Sequence, residues 1–162
     1  MANTQAMCRQ FMIDLMAAKH AFMTTVTRGA TTKDTFKGAL YLTTATVDAT
    51  TTAYSATGEV GNSGSYSAGG IAFTNATDPA GSGTAANGTG NKVYWTPSAS
   101  WTTGASFTSS GAFDAILIYN SSTAGSPAVS VHTFGTQNVT AGTFTLTMPT
   151  NDGTTGLIRF GT

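Results

Sequence analysis

The chain has 162 residues, of which only 9% are charged, and its seven basic side chains balance seven acidic ones. An ordinary soluble domain carries about 25% charge; here Thr, Ser, Gly and Asn replace it, with 33 threonines alone. This composition argues against a nucleic-acid binder with a basic stripe, a membrane-spanning helix of about 20 apolar residues, a disulfide scaffold built on the single Cys8, and a disordered chain, given nine Phe, five Tyr and two Trp.

Residues 4–23 hold four of the six methionines and no Gly or Pro. Met7, Phe11, Leu15, Ala18 and Phe22 recur at helical spacing, which predicts an amphipathic helix with those residues as its apolar face. Thr4 or Asn3 would cap its start, and Met12, Met16 and Met23 would widen the buried face. The charges divide along the chain. Arg9, Lys19, Arg28, Lys33 and Lys37 give the first 37 residues a net +3, and the remainder carries −3. The five cations are therefore the candidate partner contacts, facing an acidic surface.

From residue 35 the pattern changes to short alternating runs separated by turn residues, which predicts a β-sandwich or barrel. Strands are expected at 36–42, 71–73, 93–95, 113–119, 129–131, 143–148 and 157–160. Phe144, Leu146 and Met148 alternate with threonines, which suits one buried and one exposed face. Asn151-Asp152-Gly153 is a hairpin-type turn signal between the last two strands. The Gly-rich segments 61–70 and 78–91 read as loops. The predicted architecture is mainly β, an antiparallel, jelly-roll-like β-sandwich (35–162) preceded by one N-terminal helix and linker (1–34), forming one domain overall.

No catalytic set stands out. His20 and His132 are the only histidines, and no nucleophile elbow surrounds the serines. One Cys and two distant His do not have zinc spacing, and the acids are dispersed. Gly61–Gly70 lacks the Gly-Lys-Ser/Thr ending of a phosphate loop. The expectation is a non-enzymatic protein without metal or cofactor. Cys8 reads as a small residue on the helix face, and the sequons at Asn75, Asn87, Asn120 and Asn138 arise by chance in so Thr-rich a chain. Tyr66, Tyr94, Trp95 and Trp101 are the rings that a sugar would stack on.

A series of short motifs runs through the body in order. These are Thr35-Phe36-Lys37 with Ala39-Leu40-Tyr41; Tyr54 with Thr57-Gly58-Glu59-Val60; Tyr66 with Ala68-Gly69-Gly70; and Val93-Tyr94-Trp95. Leu117-Ile118-Tyr119-Asn120, Val131 to Gly135, and Thr145-Leu146 with Pro149 complete the series. The series resembles small virion structural proteins of tailed bacteriophages, of the capsid decoration (cement) or head-fibre type. The resemblance covers most of residues 35–159. It implies a capsid-exterior protein, made in the bacterial cytoplasm, whose partners are the major capsid protein and copies of itself, as a dimer or trimer. It brings no catalytic residues, and neither nucleic acid nor membrane is expected as a partner. The alternatives are a neck, tail or fibre component, with the Met-rich helix as an anchor, and a carbohydrate-binding adhesive module.

Overall fold

A computed structural model of the chain describes residues 2–22, 33–73, 80–82, 92–97 and 100–161. The fold is mainly β and sandwich-like, with one short helix. The strands are β1 (Ala6–Met7), β2 (Phe36–Leu42), β3 (Ile71–Ala72), β4 (Ala80–Ser82) and β5 (Lys92–Trp95). They continue as β6 (Ser100–Thr102), β7 (Phe113–Asn120), β8 (Ala128–Gln137), β9 (Thr145–Thr147) and β10 (Ile158–Phe160), and the helix α1 spans Arg9–Met16. A five-stranded antiparallel sheet has the order β1-β8-β7-β2-β3. A three-stranded sheet (β10-β5-β4) and a β6-β9 pair accompany it.

The large sheet is covered on both faces. In β2 and β7 consecutive residues are buried, whereas a strand wet on one side would alternate. One face presents Phe36, Leu40, Ile116 and Ile118, as the register Leu40↔Ile116 and the period of two require. Against this face lie Phe22, which stacks on Phe36 at a centroid distance of 4.6 Å, and Trp95, whose ring is tilted against Phe36 at 5.1 Å. Leu146, Met148 and Leu157 border a cavity with Ile116 and Ile118. The opposite face presents Tyr41 and Tyr119, which meet the coil of residues 43–70: the Tyr41 hydroxyl donates to the Ser55 carbonyl, and Tyr54 stacks on Tyr119 at 4.7 Å.

The expectations for the N-terminal segment are corrected. The N-terminal helix is eight residues long and does not span 4–23. Residues 6–7 instead join the edge of the large sheet, Ala6 opposite Val131 and Met7 opposite Ser130, so Met7 belongs to a strand and not to the helix face. Asn3 does not cap the helix. Its side chain is buried and bonded elsewhere: its amide donates to the Leu42 carbonyl (3.1 Å) and Asp114 (2.6 Å), and its oxygen accepts from Val47 N–H (3.1 Å). The cap position is Cys8, without a side-chain cap bond. At the other end Ala18 adopts φ +55°, a left-handed conformation that terminates the helix.

The last two strands do not form a hairpin. β9 pairs with β6 and β10 with β5. The turn signal itself is real, since Asp152 accepts from the N–H groups of Thr154 and Thr155, but the strands on either side enter different sheets. β9 does alternate as expected, with Phe144 and Met148 buried and Thr145 and Thr147 exposed. Thr145 reaches across to Thr102 at 2.9 Å. β4 falls inside the expected 78–91 loop, whose other residues, like Arg28, Met23, Asn75 and Asn87, lie outside the described residues.

Candidate interaction surface and the Glu59 clamp

Helix α1 divides its apolar residues between two environments. Phe11 is fully buried and packs on His20, Phe22 and Phe160 at 5.2, 6.0 and 6.4 Å. Leu15, one turn on, is partly buried against the same core. Met12, Ile13 and Met16 face outward, at 46, 55 and 92% exposure. Each residue advances about 100° around the axis, so Met12 and Met16 form a row beside Phe11 and Leu15, with Ile13 beyond it. The expected second buried row of methionines is thus an exposed apolar row. Beside Phe11 and Leu15 lies an apolar groove of about 180 Å³, closed by Phe22, Val93, Ile158 and Phe160. Val93 and Phe160 are themselves exposed. Within the predicted apolar face, Phe11, Leu15 and Phe22 meet the core, whereas Ala18 is exposed.

The candidate cations do not gather on one element. Arg9 is exposed at the start of α1, near Asp48. Lys19 is tied to Asp14 at 2.8 Å. Lys33 is half-buried before β2, and Lys37 is half-buried within β2, opposite Ala72 and Tyr119. The apolar row on α1 is the better defined surface.

Asp14, wholly buried, accepts from Lys19 and from Gln10 (2.8 Å each). Burial pushes its carboxyl up, but those bonds and the nearby positive charge outweigh burial and hold it below the ordinary range. Cys8 is buried, and burial, reinforced by the Asp48 carboxylate, pushes its thiol up to about 12. A thiolate is the reactive form. The native protein is therefore expected to leave a thiol-specific chromogenic reagent unreacted at pH 8 over the time in which the urea-unfolded chain reacts fully. His132 on β8 bonds Ser130 through Nε2 at 2.9 Å, and burial lowers it to about 4.

The motif residues of the coil come together around one carboxylate. Glu59 is buried and accepts four bonds from three neutral donors. Tyr66 and Tyr54 hydroxyls donate to its two oxygens at 2.6 Å each, and Gly69 N–H is shared between them at 3.0 and 3.1 Å. Tyr66 also accepts from Leu40 N–H at 2.9 Å, which ties the cluster to β2. The Tyr119 hydroxyl donates to the Gly69 carbonyl. Burial first, and the bond to Glu59 second, raise both phenols well above their ordinary value. Segment 61–70, expected as a loop, is a fastened one. Ser63 and Ser65 accept from Thr108 and Gly104 N–H, and Asn62 accepts from Ala68 N–H. Sequence reasoning singled out these motifs without seeing that they form one clamp, and the carboxylate flanked by tyrosines at 54 and 66 was the available signal.

Comparison of the chain with protein-family models, curated proteins and solved structures found no match. Among the described residues no group of His, Cys, Asp and Glu is placed to hold a metal, and no helix is long and apolar enough to cross a membrane. Of the four ring candidates, Tyr66 and Trp95 are buried, and Trp101 packs edge-on against Tyr66 at 5.9 Å. Tyr94 borders the apolar groove.

Proposed function

We propose that this protein is a virion structural protein of a tailed bacteriophage, a capsid decoration protein that bridges subunits of the major capsid protein. It attaches to the shell through the outward face of α1. The observation that carries this reading is the row Met12, Ile13 and Met16, three of the large apolar side chains exposed among the described residues and all on one helix. Among the described residues, the β body takes up Phe11 and leaves this row uncovered. Large exposed apolar side chains in a contiguous row mark contact sites, and methionines adapt to irregular surfaces. Arg9 is exposed at the start of the helix, whereas Lys19 is already paired with Asp14, so the fitting partner surface is an apolar depression with an acidic group at the Arg9 edge.

Two further features support the reading. Four of the motifs by which the chain resembles phage virion proteins, at 39–41, 54–60, 66–70 and 117–120, meet at the Glu59 clamp, a unit whose spacing is physically constrained. The low charge content, balanced to a net charge of zero, favours association over a free existence, including association with further copies of the chain. A virion position in the neck, tail or fibre is the second reading, since an anchor helix serves there equally; copy number separates the two. A sugar-binding role has less support, because two of its four candidate rings are buried.

The test is the triple substitution Met12→Gln, Ile13→Gln, Met16→Gln. Exposed positions of this kind each change stability by about 0.5 kcal/mol or less, so the variant is expected to unfold within a few degrees of the parent. Its incorporation into capsids that lack the native protein is expected to fall at least about tenfold, the effect of roughly 1.4 kcal/mol. Undiminished incorporation of a folded triple variant would refute attachment through α1.

A further inference from the structure

We propose that His20 is the trigger of an acid-sensitive latch that fastens the segment after α1 to the large sheet. The proposal stands on hydrogen-bond direction and does not depend on the virion reading. The His20 side chain is fully buried. It lies among the rings of Phe11, Phe22 and Phe36 at 5.2, 6.1 and 6.2 Å. Its Nδ1 is 2.9 Å from Asn120 Nδ2, at the end of β7.

The surroundings of Asn120 fix which of these atoms donates. Asn120 Nδ2 also lies 2.6 Å from Asp34 Oδ2, and its Oδ1 accepts from Ser122 N–H at 2.9 Å. Reversing the amide would set oxygen against carboxylate oxygen and nitrogen against N–H. Asn120 therefore donates one hydrogen to Asp34 and the other to His20, and Nδ1 must be a bare acceptor. The single ring proton then sits on Nε2. That atom faces Asp14 Oδ2 at 3.9 Å, too far for a hydrogen bond, and neither atom has another partner.

Protonation at Nδ1 would drive N–H against N–H. Relief requires Asn120 to turn, which breaks its bonds to Asp34 and Ser122. Asp34 in turn holds the segment: its Oδ2 accepts from Ala21 N–H at 2.7 Å, and its own N–H donates to the Ala21 carbonyl at 2.8 Å. A proton on His20 is thus transmitted through Asn120 and Asp34 to the backbone at Ala21.

Three charged groups face His20: Asp14 and Lys19 from the helix and the turn after it, and Asp34 from the approach to β2. Burial pushes the imidazole down. The two carboxylates pull the other way and are outweighed, and Lys19 adds to the lowering. A base that titrates lower when folded stabilises the closed state above its ordinary pKa of about 6.5. That stabilisation is lost as pH falls through and below this value, at no more than about tenfold in the closing equilibrium per pH unit for one proton.

The test is amide hydrogen exchange of the full chain between pH 7.5 and 5, corrected for the intrinsic rate, read at Ala21 and Asp34, whose N–H groups make the two latch bonds. Their protection is expected to fall by up to about tenfold per pH unit below about pH 6.5. In His20→Asn, which keeps an acceptor near the Nδ1 position and does not titrate, that fall is expected to vanish. The His132→Gln control, which removes the other histidine, half-buried on β8, is expected to retain it. Nitrogen NMR of the imidazole in the native protein at pH 7.5 is expected to show the Nε2–H form, a readout that does not depend on any variant folding. An Nδ1–H form, a His20 that is already cationic at pH 7.5, or protection that holds or rises on acidification would overturn the latch. The last result would mean that the imidazolium closes onto Asp14.

Discussion

Replacing Glu59 with alanine is expected to destabilise the fold by about 4 kcal/mol, close to the loss produced by large cavities. Three donors converge on this side chain: the hydroxyls of Tyr54 and Tyr66 and the N–H of Gly69. Hydrogen bonds to a charged group contribute about 1.5–3 kcal/mol each, and donors left buried without a partner add a penalty of similar size. Part of this returns as water enters beside Tyr54, which is only partly buried. Tyr66→Phe is expected to lose less, about 1–2 kcal/mol. It removes the bond to Glu59 and the acceptor for Leu40 N–H but keeps the ring in place. Chemical denaturation of the parent and the two variants checks the order. An alanine variant within 1 kcal/mol of the parent would contradict a clamp that holds the coil to β2.

The second large effect is expected at Gly70, next to β3. This residue has φ +71°, and a Cβ on it would lie 2.3 Å from the carbonyl oxygen of Gly38 and 2.6 Å from its carbon. These are backbone atoms of β2 and cannot rotate away. Gly70→Ala is therefore expected to cost at least about 3 kcal/mol, the left-handed conformation accounting for about 1–2 of it and displacement of the strand for the rest. Gly69→Ala is the matched control. Its φ of +93° is equally unfavourable, but a Cβ there meets nothing within 4 Å, so only the conformational part applies. Equal losses at 69 and 70 would mean that the approach of Gly70 to Gly38 is not what fixes this corner.

The parts of the fold that were legible in the sequence are those where burial and periodicity agree. Residues 36–42 read as a strand from their alternation, and 113–119 from a nearly continuous apolar run, the mark of a central strand covered on both faces. The N-terminal segment misled because a helical spacing of apolar residues does not reveal which of them a neighbouring strand will claim. Met7 fits the helical stripe, yet the free edge of β8 takes residues 6 and 7 as a strand. The same stripe left the orientation of Met12 and Met16 undetermined, since a helix with apolar residues on two sides has no preferred buried face until its partner is known. Asp152 gives its turn, but turn chemistry does not say whether the flanking strands pair with each other. The relay from His20 through Asn120 to Asp34 joins residues up to 100 positions apart and leaves no local pattern. The Glu59 clamp falls between these extremes. Its residues lie within 16 positions of one another and were visible as motifs, but their chemistry emerged only when the coil was seen against β2.

The most direct measurement is the copy number of this protein in purified virions relative to the major capsid protein, by quantitative mass spectrometry. A decoration protein that bridges shell subunits through the outward face of α1 is predicted to be present in hundreds of copies per particle, and to be lost from the shell with the Met12, Ile13 and Met16 substitutions. A dozen copies would contradict the shell position and place the protein in the neck or tail. Its absence from the particle would contradict a virion role altogether.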